Sequence, residues 1–177
     1  MDDSTLIASA ASGDDLAFEL LVRRHTDAVW RLARSLLRDN SAAEEAVQET
    51  FLKAYRALGR FRPGAPARTW LLVICNRTCI DQLRTRRGSI VSLDELRQVR
   101  SPQPSPEFRM MFRTAMEDLP LQQRQAFALV AVLGYSREEA AEIACVPAST
   151  MRSRVQRARE LLAEALSDTP AVEGHKR

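Results

Sequence analysis

Almost every segment of this chain with a hydrophobic period has the period of a helix, and that points to an all-α fold. Phe18, Leu21, Val22, Val29, Leu32 and Leu36 form one stripe of a long helix beginning near Asp14, with Gly13 as the break before it. Ser41 followed by Glu44 reads as a capping box, and the helix it opens is expected to run to Gly59, a natural residue just past a helix end. One face of that helix is apolar (Val47, Phe51, Ala54, Tyr55, Leu58), and the other carries Glu45, Gln48, Glu49, Leu52 and Arg56. Pro63, Gly64 and Pro66 make residues 60–68 a loop, after which Thr69 is expected to cap a helix reaching about Arg87. No segment reads with confidence as a strand, and there is no internal repeat.

The helical pattern breaks once, at Ser101-Pro102-Gln103-Pro104-Ser105-Pro106, where each proline removes a donor and pushes its predecessor toward extended geometry. This divides the chain into two small helical domains, residues 1–87 and 107–177, joined by a flexible linker over 88–106. In the second domain, helices are expected over Glu107–Glu117, over Pro120–Leu133 with Gly134 as the stop, and over Ser136–Ala144, where Ser136 and Glu139 form another capping box. The turn Cys145-Val146-Pro147-Ala148 then leads into a helix that carries four arginines and no acid between Ser149 and Arg159, which is helix-turn-helix spacing. Met151, Val155, Ala158, Leu162 and Ala165 gather on its buried side. Ser149, Ser153, Gln156 and Arg157 lie opposite, flanked by Arg152 and Arg159 on one side and Arg154 on the other. Short polar groups with flanking guanidinium groups suit base edges in the middle and phosphates alongside.

Net charge is only +3, but it is unevenly distributed: residues 1–58 sum to −3 and residues 59–87 to +6. The basic segment invites phosphates, whereas the acidic one would be repelled by them and suits a basic protein partner. The N-terminus lacks a basic region followed by an apolar run, and the longest apolar run, Ala126–Leu133, is too short to cross a bilayer, so a cytoplasmic protein without membrane insertion is expected. Three cysteines with His25 and His175 match no zinc spacing; Cys75, Cys79 and Cys145 read first as buried small hydrophobes, with redox sensing through Cys75 and Cys79 as the minor alternative.

In order along the chain stand Ala43-Glu44-Glu45-Ala46-Val47-Gln48-Glu49-Thr50-Phe51, Phe61-Arg62, Arg68-Thr69-Trp70-Leu71 and Asp81-Gln82-Leu83-Arg84, then Leu119-Pro120, Gln123-Arg124, Gly134-Tyr135-Ser136, Glu138-Glu139-Ala140-Ala141 and Thr150-Met151-Arg152-Ser153-Arg154. With these strings the chain resembles, over nearly its whole length, the extracytoplasmic-function class of bacterial sigma factors, the initiation subunits of RNA polymerase. The resemblance implies that residues 1–87 bind core polymerase and that the acidic helix docks on the clamp helices of the largest subunit through Glu45, Gln48, Glu49 and Leu52. It implies that Arg60, Phe61, Arg62, Arg68, Asn76, Arg77, Arg84 and Arg86, with Arg87 beside them, serve the promoter minus-ten element, in a loop pocket for a flipped base and along the single-strand backbone. Ser149, Arg152, Ser153, Arg154, Gln156, Arg157 and Arg159 would meet the minus-thirty-five element as a duplex. Trp70 is expected in the core. An anti-sigma protein is a further partner of many such factors, and no cofactor or metal is implied.

The chain departs from the family pattern at several points. Asn76-Arg77 stands where many relatives carry Arg-Asn, and Leu72-Val73 where they carry Tyr-Arg. Cys145 replaces the turn glycine, which calls for a left-handed or a re-routed turn there at some cost in stability, and Ser149 replaces a second glycine and is expected to act as N-cap. Two other classes compete with a sigma factor. A stand-alone helix-turn-helix regulator would have no use for the Gln48-Glu49-Thr50-Phe51 and Arg68-Thr69-Trp70 strings. An enzyme would need a phosphate-cradling loop, a triad or a paired ligand set, and none appears among residues that include only six glycines.

Overall fold

The structure is a computed structural model that describes residues 1–85 and 105–167. Among the described residues there are α-helices and short helical turns but no strand. The first helix, α1 (Asp3–Ala11), has a short alanine- and serine-rich sequence that gives little periodic signal, and sequence reading passed over it. It is capped by Asp2, buries Leu6, Ile7 and Ala10, and is tied to the next helix through Asp3, which lies 3.0 Å from Arg24 and 2.8 Å from His25.

Helix α2 (Asp15–Leu37) begins where expected, with Asp14 accepting from the Leu16 and Ala17 amides. Its stripe is inside: Leu21, Val29, Leu32 and Leu36 are buried, Phe18 and Val22 half-buried. Helix α3 (Asn40–Arg56) is capped by Asp39 rather than Ser41. The Asp39 carboxylate accepts from the Ala42 amide at 2.6 Å and places a full negative charge at the helix N-terminus, leaving Ser41 inside the first turn. The helix also stops at Arg56, short of Gly59, because Leu58–Arg60 tightens into a 3-10 turn that carries Leu58 back into the core.

The central element is α4 (Ala67–Thr85), which begins two residues before the expected cap Thr69; the Pro66 carbonyl accepts from the Trp70 amide, and Thr69 is buried. Leu71, Leu72, Cys75, Asn76, Thr78 and Cys79 are all buried, as befits a helix covered on several sides by α2, α3 and α7. Arg86, Arg87 and the expected linker as far as residue 104 lie outside the described residues.

In the second half, α5 (Pro106–Asp118) starts with Pro106 at its first position and Ser105 accepting from the Phe108 amide. Helix α6 (Leu121–Phe127) passes into a π-helical turn, Ala128–Val132, where the sequence suggested one regular helix; Gly134 then takes a positive φ of 76°. Helix α7 (Arg137–Ala144) carries the expected capping box. Helix α8 (Ala148–Ser167) begins one residue before Ser149: the Pro147 carbonyl accepts from the Met151 amide, so Ser149 lies within the first turn and is not the cap. Met151, Val155, Ala158 and Leu162 are buried and Ala165 is exposed.

The two halves pack together, α7 against α4 and α6 against α2. One continuous apolar core holds residues of both, among them Leu36 and Leu71 from the first half and Leu129 and Ile143 from the second. A smaller cluster of Ala115, Leu119, Ala158 and Leu162 joins α5 to α8.

Candidate nucleic-acid and partner interfaces

Helix α7, the turn and α8 make a helix-turn-helix whose corner is Cys145, in the left-handed region at φ 54° and ψ 46°. Its amide still reaches back to the Ala141 and Glu142 carbonyls, so the turn closes as a glycine would close it, with a side chain where glycine has none. Ser149, Arg152, Ser153, Gln156, Arg157 and Arg159 are exposed on α8, while Arg154 is half-buried. Glu160 takes hydrogen bonds from Gln156 at 3.1 Å and Arg157 at 3.2 Å, and these hold its carboxyl below the usual range. Two of the groups assigned to bases are thus tied to a neighbouring acid in the free chain.

The residues assigned to the minus-ten element do not share one open surface. Arg60 and Arg62 are exposed at the loop. Phe61 and Trp70 are both half-buried and meet edge-to-face with ring centroids 5.3 Å apart. Arg68 is exposed, and its guanidinium stands 5.1 Å from the centre of the Tyr135 ring. Asn76, expected at DNA, is only 4% exposed: α7 packs on α4, and Gln125 Nε2 of α6 donates to Asn76 Oδ1. Arg77 donates to Cys145 Sγ at 3.6 Å. Arg84 stands 3.8 Å from Asp81, and Arg86 is outside the described residues.

The polar face of α3 is open. Glu45 and Gln48 are exposed, Leu52 is 50% exposed, and Glu49 is half-buried in a 2.8 Å ion pair with Lys53. Tyr55, expected on the apolar side, is largely outside instead: its hydroxyl donates to Asp15 at 2.9 Å and its ring meets Phe18 edge-on. That contact holds the start of α2 against the end of α3, where Leu16 and Leu20 are left uncovered at 72% and 47% exposure. Sequence reasoning missed these two leucines, whose signal was an i, i+4 apolar pair lying off the main stripe of α2.

Cys75 and Cys79 are buried with their sulfurs 4.0 Å apart, and their mutual hydrogen bond together with burial pushes the Cys79 thiol up; Cys145 is exposed, against expectation. Among the described residues no cluster of His, Cys, Asp or Glu is arranged to hold a metal, and no helix is long and apolar enough to cross a membrane.

Sigma-70 region 2 matches residues 21–89 of this chain, and Sigma-70 region 4 matches residues 109–162. The chain belongs to the extracytoplasmic-function class of the sigma-70 family. It is similar to the ECF sigma factor SigM of Mycobacterium tuberculosis, 34% identical over 93% of this chain and 84% of that protein. It is also similar to a probable sigma-C factor of Mycobacterium bovis, at 37% over 93% and 92% of the two chains. Among solved structures it resembles CnrH in complex with the cytosolic domain of CnrY, with a TM-score of 0.72 and 30% identity, covering 94% of this chain and 99% of the other. It likewise resembles a complex of the sigma factor RpoE with the anti-sigma factor NepR from Bartonella quintana, with a TM-score of 0.72 and 28% identity over 85% and 97%. As a sigma factor the chain acts in transcription initiation, and sigma factors are non-enzymatic regulators. Helices α7 and α8 as far as residue 162 lie within the region 4 match, and α3 and α4 lie within region 2, which a stand-alone regulator would not carry.

Proposed function

We propose that this sigma factor binds core RNA polymerase through the open face of α3, directs it to promoters through α8, and helps melt the minus-ten element through the 60–68 loop and α4. The observation that carries the docking surface is the open face of α3, with Glu45, Gln48 and Leu52 exposed, together with the uncovered Leu16 and Leu20 at the start of α2, which Tyr55 holds against the end of α3. Acidic and amide groups against the basic clamp helices of the largest subunit give orientation and encounter rate, and leucines left uncovered in the free chain supply the area to be desolvated. Melting draws on binding alone. Each non-template base captured contributes about 1–3 kcal/mol, comparable with the few needed to unstack it. On α8, Arg152, Ser153, Gln156 and Arg157 face bases of the duplex minus-thirty-five element, Arg154 and Arg159 face phosphates, and Ser149 lies at the start of the helix. This work is done in the cytoplasm, without a cofactor or a reaction catalysed by the subunit itself. An anti-sigma protein belongs to the same reading, in line with the complex of a similar factor with NepR.

Transcription with core polymerase on fragmented genomic DNA, with sequencing of transcript starts, tests the reading: starts that depend on the chain should share two spaced upstream motifs. Glu45→Ala with Gln48→Ala should weaken core binding by about tenfold, or 1.4 kcal/mol, and leave duplex binding intact. Core affinity that survives the double change excludes this face as the docking surface.

A further inference from the structure

The first acid along α8 is Glu160. At about 100° per residue it falls between Gln156 and Arg157 and directly opposite Met151, on the outermost line of the helix. It is exposed, and each of its oxygens holds one neighbour. Oε1 accepts from Gln156 Nε2 at 3.1 Å, and Oε2 accepts from Arg157 Nη1 at 3.2 Å. The Arg157 guanidinium offsets the charge of the carboxylate, which lets an acid stand on a face that otherwise suits phosphates.

An ionised carboxylate accepts hydrogen bonds and donates none, whereas a glutamine amide carries an acceptor at one corner and two donor hydrogens at the other. An unrestrained glutamine offers either corner to a base. Beside Glu160 one choice is left: Nε2 turns toward the acid, because Oε1 in its place would meet like charge, and Oε1 is left free together with the second Nε2 hydrogen. In the major groove, amino groups stand on adenine N6 and cytosine N4, while guanine and thymine offer the acceptors O6, N7 and O4. A free oxygen suits the first two bases, and adenine, with N7 beside N6, also takes the remaining Nε2 hydrogen. Ser153, on the same face, is set in the same sense by a different bond: its hydroxyl donates to the Thr150 carbonyl at 2.9 Å, which leaves only lone pairs facing outward. The two neutral side chains at the centre of the face are thus acceptors, and the donors Arg152 and Arg157 flank them.

We propose that Glu160 is a specificity-determining residue of α8: by holding Gln156 as an acceptor, it restricts the base that Gln156 meets in the minus-thirty-five element to adenine or cytosine. The inference rests on the assignment of α8 to that element. Glu160 is a positioning residue, acting through Gln156 and not through a bond of its own to DNA. Its effect comes from the sign of the charge and not from the strength of the bond. An exposed pair of this kind adds little to folding, but a carboxylate one turn away makes the two orientations of the Gln156 amide unequal. The same two bonds hold the Glu160 carboxyl below its usual range, so it remains ionised wherever the chain is folded near neutral pH.

The test uses the full chain assembled with core polymerase and offered a promoter library randomised over the upstream motif, with the transcribed templates sequenced. Gln156→Ala marks the base pair that Gln156 reads, as the position whose selectivity falls. Glu160→Gln keeps the size of the side chain and an oxygen to accept, but its own NH2 group lets the Gln156 amide turn over. At the marked position it should reduce selectivity from about fivefold or more to within about twofold. On the duplex that the wild type prefers, deleting the exocyclic amino group of the adenine or cytosine at that position should weaken wild-type binding about fivefold, Glu160→Gln binding less, and Gln156→Ala binding hardly at all. The inference is overturned by a Gln156→Ala variant that alters no position, by a Glu160→Gln variant that keeps full selectivity, or by an amino deletion that costs the wild type nothing. A wild-type holoenzyme that selects no upstream motif removes the polymerase reading and the inference with it, whereas a motif that is present but indifferent to Glu160→Gln counts against the inference alone.

Discussion

Glu160 sits one turn beyond Gln156 and accepts from both Gln156 and Arg157, the two residues at the centre of the outward face of α8. The Arg157–Glu160 pair is half-exposed on both sides, so it contributes little to folding, but it places an acid beside two groups proposed to meet DNA. Glu160→Ala should therefore leave thermal stability unchanged and raise affinity for random-sequence duplex DNA about threefold, with a steeper salt dependence, because one more cation is free to displace counterions. Fluorescence anisotropy at two salt concentrations measures this, and an unchanged affinity would mean that freeing Arg157 from Glu160 adds no phosphate contact on non-specific duplex. At the other end of the chain, burial works against ionisation of Asp3, but hydrogen bonds from Arg24 and His25 outweigh it and hold its carboxyl below the usual carboxylate range. A depressed folded value means stability that is present above the ordinary carboxylate range and lost as pH falls through the folded one. The stability difference between wild type and Asp3→Asn should thus be constant above about pH 5 and shrink to nothing toward pH 2, as measured by urea unfolding at a series of pH values.

The end of α2 shows how one backbone conformation links an element to its neighbours. Arg38 closes that helix with φ at 66°, a left-handed conformation in which Cβ crowds the following carbonyl, and its charge lies close enough to the buried Arg124 to disfavour that guanidinium. Arg38→Gly relieves both strains and should stabilise the chain by about 1 kcal/mol net of the added freedom of the unfolded state, read as a higher urea midpoint at unchanged slope. Such closures were only partly legible in the sequence. Ser136 with Glu139 announced the start of α7 because both partners of a capping box are side chains at fixed spacing, whereas Cys145 left a left-handed and a re-routed turn open, and the structure takes the left-handed one. Ser41 with Glu44 made an equal claim at α3 and lost it to Asp39, two residues earlier, whose carboxylate accepts from the Ala42 amide and so starts the helix before Ser41 could cap it. Helix α1 left no trace because Leu6, Ile7 and Ala10 are too few to set a period. The π-helical turn at Ala128–Val132 lies in an unbroken apolar run, where a shift of register costs no visible change of pattern. Of the candidate residues, the outward placement of Glu45, Gln48 and Leu52 on α3 and of all but Arg154 on α8 was legible, because each face is fixed by the buried stripe behind it. Asn76 was not, because its partner Gln125 is 49 residues away and no periodicity reports a contact between two helices of different halves.

At the scale of the molecule, a single apolar core running from Leu6 of α1 to Val155 of α8 means that neither half is enclosed by its own residues alone. Leu71 and Leu72 of α4 belong to the same cluster as Leu129 and Ile143, and the polar bonds around Asn76 and Arg124 lie along the same boundary. Cooperativity follows from shared burial, since losing one half exposes apolar surface on the other and lowers its stability in the same step. The free chain should therefore melt in one calorimetric transition, its calorimetric and van't Hoff enthalpies agreeing, although two domain families are matched along its length. Gln125→Ala with Tyr135→Ala should split that peak. The half that keeps most of its core, α1–α4, should melt at a temperature near the original, and the α5–α8 half, which retains the small cluster of Ala115, Leu119, Ala158 and Leu162, should melt lower. A wild-type chain that already shows two peaks would mean that the halves fold independently and that their packing contributes nothing to stability; a variant that still melts in one would mean that the apolar contacts alone bind the halves and the polar bonds only set their register.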